Sequence, residues 1–239
     1  MKLTADLING SPSYINPLKD RELNLRGHRI PALENLGATK DLNDAIDLTD
    51  NDLTSLANIP SLPHLRRLLL ARNKISSISP SIATSVPNLT TLILTHNQLS
   101  NLSDILPLQK LSLLTYISFL ENPITRHEHY RLFLIWAIPS VRILDFNKVK
   151  KSEREEATQL FGTIDEPTDL AAKYSAASLN AQARVFNVDS NGNHLNGKSS
   201  TLRNKLTAQE KEEIMEQLRN AKSLGEIERL EQVLRRIES

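Results

Sequence analysis

Residues 62–78 read LPHLRRLLLARNKISSI, and residues 86–102 read VPNLTTLILTHNQLSNL. The apolar residues, a Pro and an Asn recur at the same places twenty-four positions apart, while most of the letters between them change. Self-similarity at a fixed period constrains the fold more than composition does. It means a stack of like units, none able to bury its apolar face alone. What repeats is architecture, and what varies is left for recognition.

Against the pattern L-x-x-L-x-L-x-x-N-x-L, two matches are complete: Leu65, Leu68, Leu70, Asn73, Ile75 and Leu89, Leu92, Leu94, Asn97, Leu99. Leu114, Ile117, Phe119, Asn122, Ile124 is a third with conservative exchanges, and Ile46, Leu48, Asn51, Leu53 lacks only the first apolar position. Leu23, Leu25, His28, Ile30 is degenerate, with His in place of Asn, and Val141, Leu144, Phe146, Val149 keeps the apolar spacing without the Asn. Positions 28, 51, 73, 97 and 122 are separated by 22 to 25 residues. This is a leucine-rich repeat. The fold class expected is α/β, a leucine-rich-repeat solenoid with a concave parallel sheet and a cap at each end.

The spacing gives the physics. In each L-x-L the two side chains point to one side of a short strand, into the core. The Asn turns the chain, and its amide can donate to and accept from neighbouring backbone. Residues 1–22 are expected to form an N-terminal lid, and HYRLFLIWAIPSVRILDF (129–146) a C-terminal cap whose core includes Phe133 and Trp136. A short helix is expected over 152–161, which opens with Ser and Glu. The domain reading is 1–161 for the repeats and caps, 162–206 for a flexible linker, and 207–239 for a helical hairpin or amphipathic helix. In that last segment, Thr207 with Glu210 and Ser223 with Glu226 fit capping boxes.

Side chains flanking and between the paired leucines should face outward. Laid side by side, Leu69, Ile93, Tyr116 and Leu120 make an apolar patch, with Asp47 and Arg67 beside it as charge selectors. A solenoid concavity admits one α-helix about 10 Å across, which suits helix-in-groove binding. A basic run, Lys148, Lys150 and Lys151 with Arg154, follows the last strand and can reach phosphates.

Catalysis has no candidate. There is no Cys, which excludes thiol nucleophiles and Cys-ligated zinc, and seven Gly include no phosphate-binding loop. The two His of HEH (127–129) diverge on a helix, so no metal, cofactor or small-molecule substrate is expected. A net charge of +1 predicts neither bulk nucleic-acid nor membrane binding, and the absence of an apolar N-terminal run points to a reducing, intracellular setting.

Several stretches go beyond the generic repeat: RELNLRGHRIPALENLGAT (21–39), DAIDLTDNDL (44–53), ENPIT (121–125), HYRLFLIW (129–136) and IPSVRILDFNKVKKSEREEA (138–157). They resemble the A-prime leucine-rich-repeat family of the spliceosomal U2 small nuclear ribonucleoprotein, over roughly 1–161 and weakly in the last segment. One departure is His28, where the family more often has an aromatic. The resemblance implies a nuclear, non-catalytic pre-mRNA splicing factor working among other spliceosome components. It implies that an RNA-recognition-motif protein of the B-double-prime type places a helix against Asp47, Arg67, Leu69, Ile93, Tyr116 and Leu120. It further implies that the pair binds a stem-loop of U2 RNA, with Lys148, Lys150, Lys151 and Arg154 near the stem. The rival reading is a leucine-rich-repeat regulatory subunit or adaptor of a phosphatase or cytoskeletal complex, using the same groove without the basic run.

Overall fold

The computed structural model describes residues 1–164 and 166–175. The remainder of the expected linker and the whole of 207–239 lie outside the described residues.

The chain opens with helix α1 (Ala5–Gly10), whose N-cap Thr4 accepts the Leu7 amide through its hydroxyl. Strands β1 (Ser13–Ile15) and β2 (Arg21–Asn24) form a hairpin. There follow β3 (Ala45–Asp47), β4 (Ser55–Leu56), β5 (Arg67–Leu69), β6 (Ser77–Ile78), helix α2 (Ile82–Ser85), β7 (Thr91–Ile93) and β8 (Tyr116–Ser118). The C-terminal cap is built from α3 (Tyr130–Ala137), β9 (Ile143–Leu144), β10 (Asn147–Lys148) and α4 (Lys151–Phe161). The main sheet runs β1-β2-β3-β5-β7-β8-β9-β10. Its interior pairs, from β2 to β9, are parallel, and the pairs at both edges are antiparallel. A second, two-stranded parallel sheet of β4 and β6, with three-residue-per-turn helices, lies on the opposite layer.

The repeat explains this register. Ile46, Leu68, Leu92, Ile117 and Leu144 are cross-strand neighbours, all buried, and Leu48, Leu70, Leu94 and Phe119 are buried two positions on. Each Asn amide bolts two coils together. Asn97 Nδ2 donates to Leu70 O of the preceding coil at 2.9 Å and to Leu94 O of its own at 3.0 Å, while its Oδ1 accepts the Ile75 amide at 2.9 Å. Asn51, Asn73 and Asn122 make the same three bonds in their own coils. A buried carbonyl left without such a partner costs about 1–3 kcal/mol, which is why this letter is kept while its neighbours vary. The residue before each of these Asn takes a left-handed conformation: Asp50, Arg72, His96 and Glu121. In the first coil Gly27 adopts it at φ 71°, where glycine carries no steric cost. His28 takes no part in the amide ladder; the Leu25 carbonyl is met instead by Asn51 of the next coil.

The last coil departs from the expected pattern. Asp145 and Phe146 both have positive φ and form the two-residue turn between β9 and β10. That turn exchanges their sides. Phe146, read from spacing as core, is 61% exposed, whereas Asp145, read as outward-facing, is buried. Asp145 Oδ1 accepts the Phe119 amide at 2.7 Å, the position where earlier coils use the carbonyl of the next strand. Its Oδ2 accepts the Tyr130 hydroxyl at 2.7 Å. A side chain thereby ends the parallel ladder where no further coil follows.

The cap also continues past residue 161. Gly162 and Pro167 form a bridge, residues 169–175 are helical, and Ala171 is fully buried. Tyr174 packs edge-on against Phe133, 5.7 Å between ring centres, and Trp136 Nε1 donates to Gly162 O at 3.0 Å. The first residues of the stretch read as linker are therefore needed to cover the aromatic end of the stack.

Candidate functional site

Strand register sets two rows of side chains on the face opposite the buried leucines. One row is Tyr14, Glu22, Ala45, Arg67, Thr91, Tyr116, Ile143, and the next is Asn24, Asp47, Leu69, Ile93, Ser118. Leu69 and Ile93 are direct cross-strand partners and both are partly exposed. Tyr116 is partly exposed one strand further, and Leu120 is 37% exposed where the β8 segment leaves the sheet. The structure thus brings the four expected apolar residues onto one face. Burial, and then the Asp145 charge, push the Tyr116 hydroxyl above the usual tyrosine range.

A fifth member was not legible from spacing. Phe146 stands on the tip of the β9–β10 turn, its ring 5.9 Å from Tyr116 at 77°, an edge-to-face pair. A bulky residue in a left-handed conformation costs on the order of 1 kcal/mol, and here it holds a large apolar side chain in solvent beside the patch.

The charged members behave differently from their expected roles. Asp47 lies in the concave register but is only 3% exposed. Its Oδ2 accepts Arg26 Nη1 at 3.0 Å and its Oδ1 the Thr49 amide at 2.9 Å. Arg67 reaches across Ala45, whose methyl leaves room, and Nη1 lies 3.0 Å from Asp20 Oδ2 in an ion pair too bent to count as a hydrogen bond. Both charges are engaged within the chain. The sequence hid this because Arg26 and Asp20 belong to other coils.

At the N-terminal end, Glu22 is bracketed by the β1 hairpin: Tyr14 donates its hydroxyl to Oε1 at 2.8 Å and Asn16 its amide to Oε2 at 2.9 Å. Nothing in the repeat pattern marks Tyr14, because β1 is antiparallel and precedes the first unit.

The basic run is divided. Lys148 is exposed and pairs in register with Ile143, so it sits at the edge of the apolar patch. Lys150 is exposed, and Lys151 is exposed with a loose contact to Glu155 at 3.4 Å. Arg154 instead turns back, donating to Pro139 O and Val141 O, and so ties α4 to the loop after α3. Next to it, Arg131 and Glu153 are paired at 2.7 Å. That hydrogen bond holds Glu153 below the usual glutamate range, helped by the Lys150 amide and opposed by partial burial. Among the described residues no group of side chains could hold a metal ion, and no helix is long and apolar enough to cross a membrane.

Comparison with known proteins adds three findings. A leucine-rich-repeat family model matches residues 1–174. The U2 small nuclear ribonucleoprotein A' of Aspergillus fumigatus is 53% identical over 224 residues, 94% of this chain and 87% of that protein. The one from Schizosaccharomyces pombe is 42% identical over 236 residues, 98% and 97% of the two chains. Among solved structures, a chain of the Drosophila melanogaster SNF/U2A' complex is 45% identical with a TM-score of 0.66, covering 76% of this chain and 99% of that one. Repeat ladder, both caps and overall sequence thus agree, and the chain belongs to the U2 small nuclear ribonucleoprotein A' family, non-catalytic leucine-rich-repeat proteins of the splicing machinery.

Proposed function

We propose that this chain works in the nucleus as a scaffold of the U2 particle. Its concave face holds a helix of an RNA-recognition-motif protein of the B-double-prime type, and together they bind a stem-loop of U2 RNA. The observation that carries this reading is the register pair Leu69–Ile93, partly exposed on a strand face and continued by Tyr116, Leu120 and Phe146. Apolar surface gathered on one strand face and rimmed by charge is what a protein partner covers. The Drosophila relative in complex with SNF supports a protein partner. Lys148, Lys150 and Lys151 stand at the same end, so a helix seated on the patch brings its RNA toward them. Arg154 was assigned to the RNA on sequence grounds; with two donors committed to backbone carbonyls it is better suited to holding α4 in place.

Affinity purification from nuclear extract tests the reading, with the wild-type chain beside a Leu69→Asp/Ile93→Asp variant. Wild type should bring down an RNA-recognition-motif protein and U2 RNA, and the variant should lose both, a loss of at least about 100-fold. Its melting temperature should stay near wild type, since neither side chain is core. Full recovery of the partner by the variant would exclude the groove.

A further inference from the structure

Three carboxylates gather at the N-terminal end of the groove face, and they are not equally neutralised. Asp47 has Arg26 and Asp20 has Arg67, each at 3.0 Å. Glu22 has neither. It is 9% exposed, its two oxygens are met only by the neutral donors of Tyr14 and Asn16, and no cation of the described residues lies within ion-pair distance. The field there is negative. The Tyr14 hydroxyl is held above the usual tyrosine range, first by its hydrogen bond to Glu22, then by burial and by the charges of Glu22 and Asp47, with Arg26 opposing. Glu22 shares its row with Arg67 and Tyr116, so it faces the groove, and the half-exposed Tyr14 ring stands beside it.

We propose that Glu22, flanked by the ring of Tyr14, receives one Lys or Arg side chain of the protein partner that lies in the groove. This rests on the groove reading above and adds the chemistry of its N-terminal end. A partner covering this end removes the water that solvates the carboxylate, and a buried charge left unpaired is strongly unfavourable. A cation on the partner reverses that penalty, and the Tyr14 ring adds a cation–π face. A segment with only apolar residues fits the Leu69–Ile93 end and is rejected at this one, so the contact selects partners. The sheet also fixes the spacing. Glu22 on β2 is two strands from Leu69 on β5, about 10 Å at the usual strand separation. At about 1.5 Å per helical residue, the cation lies roughly two turns from the partner residue seated on Leu69.

The test is a calorimetric titration of the full chain with the RNA-recognition-motif protein. Each Lys and Arg of the partner's groove helix is changed in turn to Met, against wild type and against Glu22→Gln. One partner position, about two turns from the Leu69 contact, should lose about 10-fold on the wild-type chain and almost nothing on Glu22→Gln. A flat series on wild type overturns the proposal. So does a partner cation whose loss is the same in both backgrounds. Because Asn16 donates to Glu22, the Gln variant can loosen the β1 hairpin; the partner-side series reads the contact on an unaltered chain in either event. Leu69→Asp, run alongside, separates the two readings. If it abolishes binding while the cation series is flat, only this inference falls, and if it binds as wild type, the groove falls first.

Discussion

The two halves of the concave face are made from one repeat and do opposite things. In the N-terminal half, Glu22, Arg26, Asp47, Arg67 and Asp20 are held by hydrogen bonds and ion pairs within the chain. In the C-terminal half, Leu69, Ile93, Tyr116, Leu120 and Phe146 present apolar surface that nothing in the described chain covers fully. Beneath both, the leucine rows and the Asn ladder are the same. A repeat scaffold separates stability from recognition because the alternation of a strand sends neighbouring residues to opposite faces. A substitution on one face therefore need not disturb the other. The N-terminal half departs from that rule, since its concave side chains also fasten one coil to the next.

This difference can be attacked at both ends. The largest effect is expected from Lys148→Glu/Lys150→Glu/Lys151→Glu, which reverses charge beside the apolar half. Affinity of the protein pair for the stem-loop should fall about 30-fold at low salt. The slope of log affinity against log salt should flatten by roughly 0.7–0.9 for each phosphate contact removed. An unchanged slope would mean that these lysines are only solvated. Next, Asp47→Ala should behave as a stability variant, because it strands Arg26 and the Thr49 amide. A cost of about 1–3 kcal/mol by chemical denaturation is expected, with partner affinity altered less than threefold at temperatures where the chain is folded. Phe146→Ala should do the reverse. Binding should weaken about 10-fold while stability stays within about 0.5 kcal/mol, since the lost edge-to-face contact is offset by relief at a left-handed position. Equal effects of Asp47→Ala and Phe146→Ala on binding would erase the distinction between the halves.

The smallest effect concerns the C-terminal cap. Glu153 is held below its ordinary range by Arg131, so its contribution is complete above the usual glutamate pKa. It is lost as pH falls through the depressed folded value. Melting between pH 5 and pH 3 should show a loss, under about 1 kcal/mol for a pair this exposed, that is missing in Glu153→Gln.

Legibility followed the range of the interactions. The Leu68–Leu70 and Leu92–Leu94 pairs, the Asn positions and the facing of Leu69 and Ile93 depend on a period written locally, and all can be read from the chain. The engagement of Asp47 and Arg67 cannot, because their partners are twenty-one and forty-seven residues away and nothing local marks them. Phe146 was read as core because its spacing is right. The Asp145–Phe146 turn overrides the spacing, and neither residue belongs to the Asn-Gly type that usually signals such turns. Residues 162–175 have no periodicity to announce them, and their order comes from the aromatic surface of Phe133, Trp136 and Phe161 that they cover.

The sequence by itself determined the solenoid, its period and the apolar seat for a partner, since each follows from side-chain alternation and a recurring amide. Only the folded chain decided which charges remain free to meet that partner and where the stack stops. Ion pairs and turn-end exchanges join residues that the chain keeps far apart, and their energies depend on distances that no local pattern encodes.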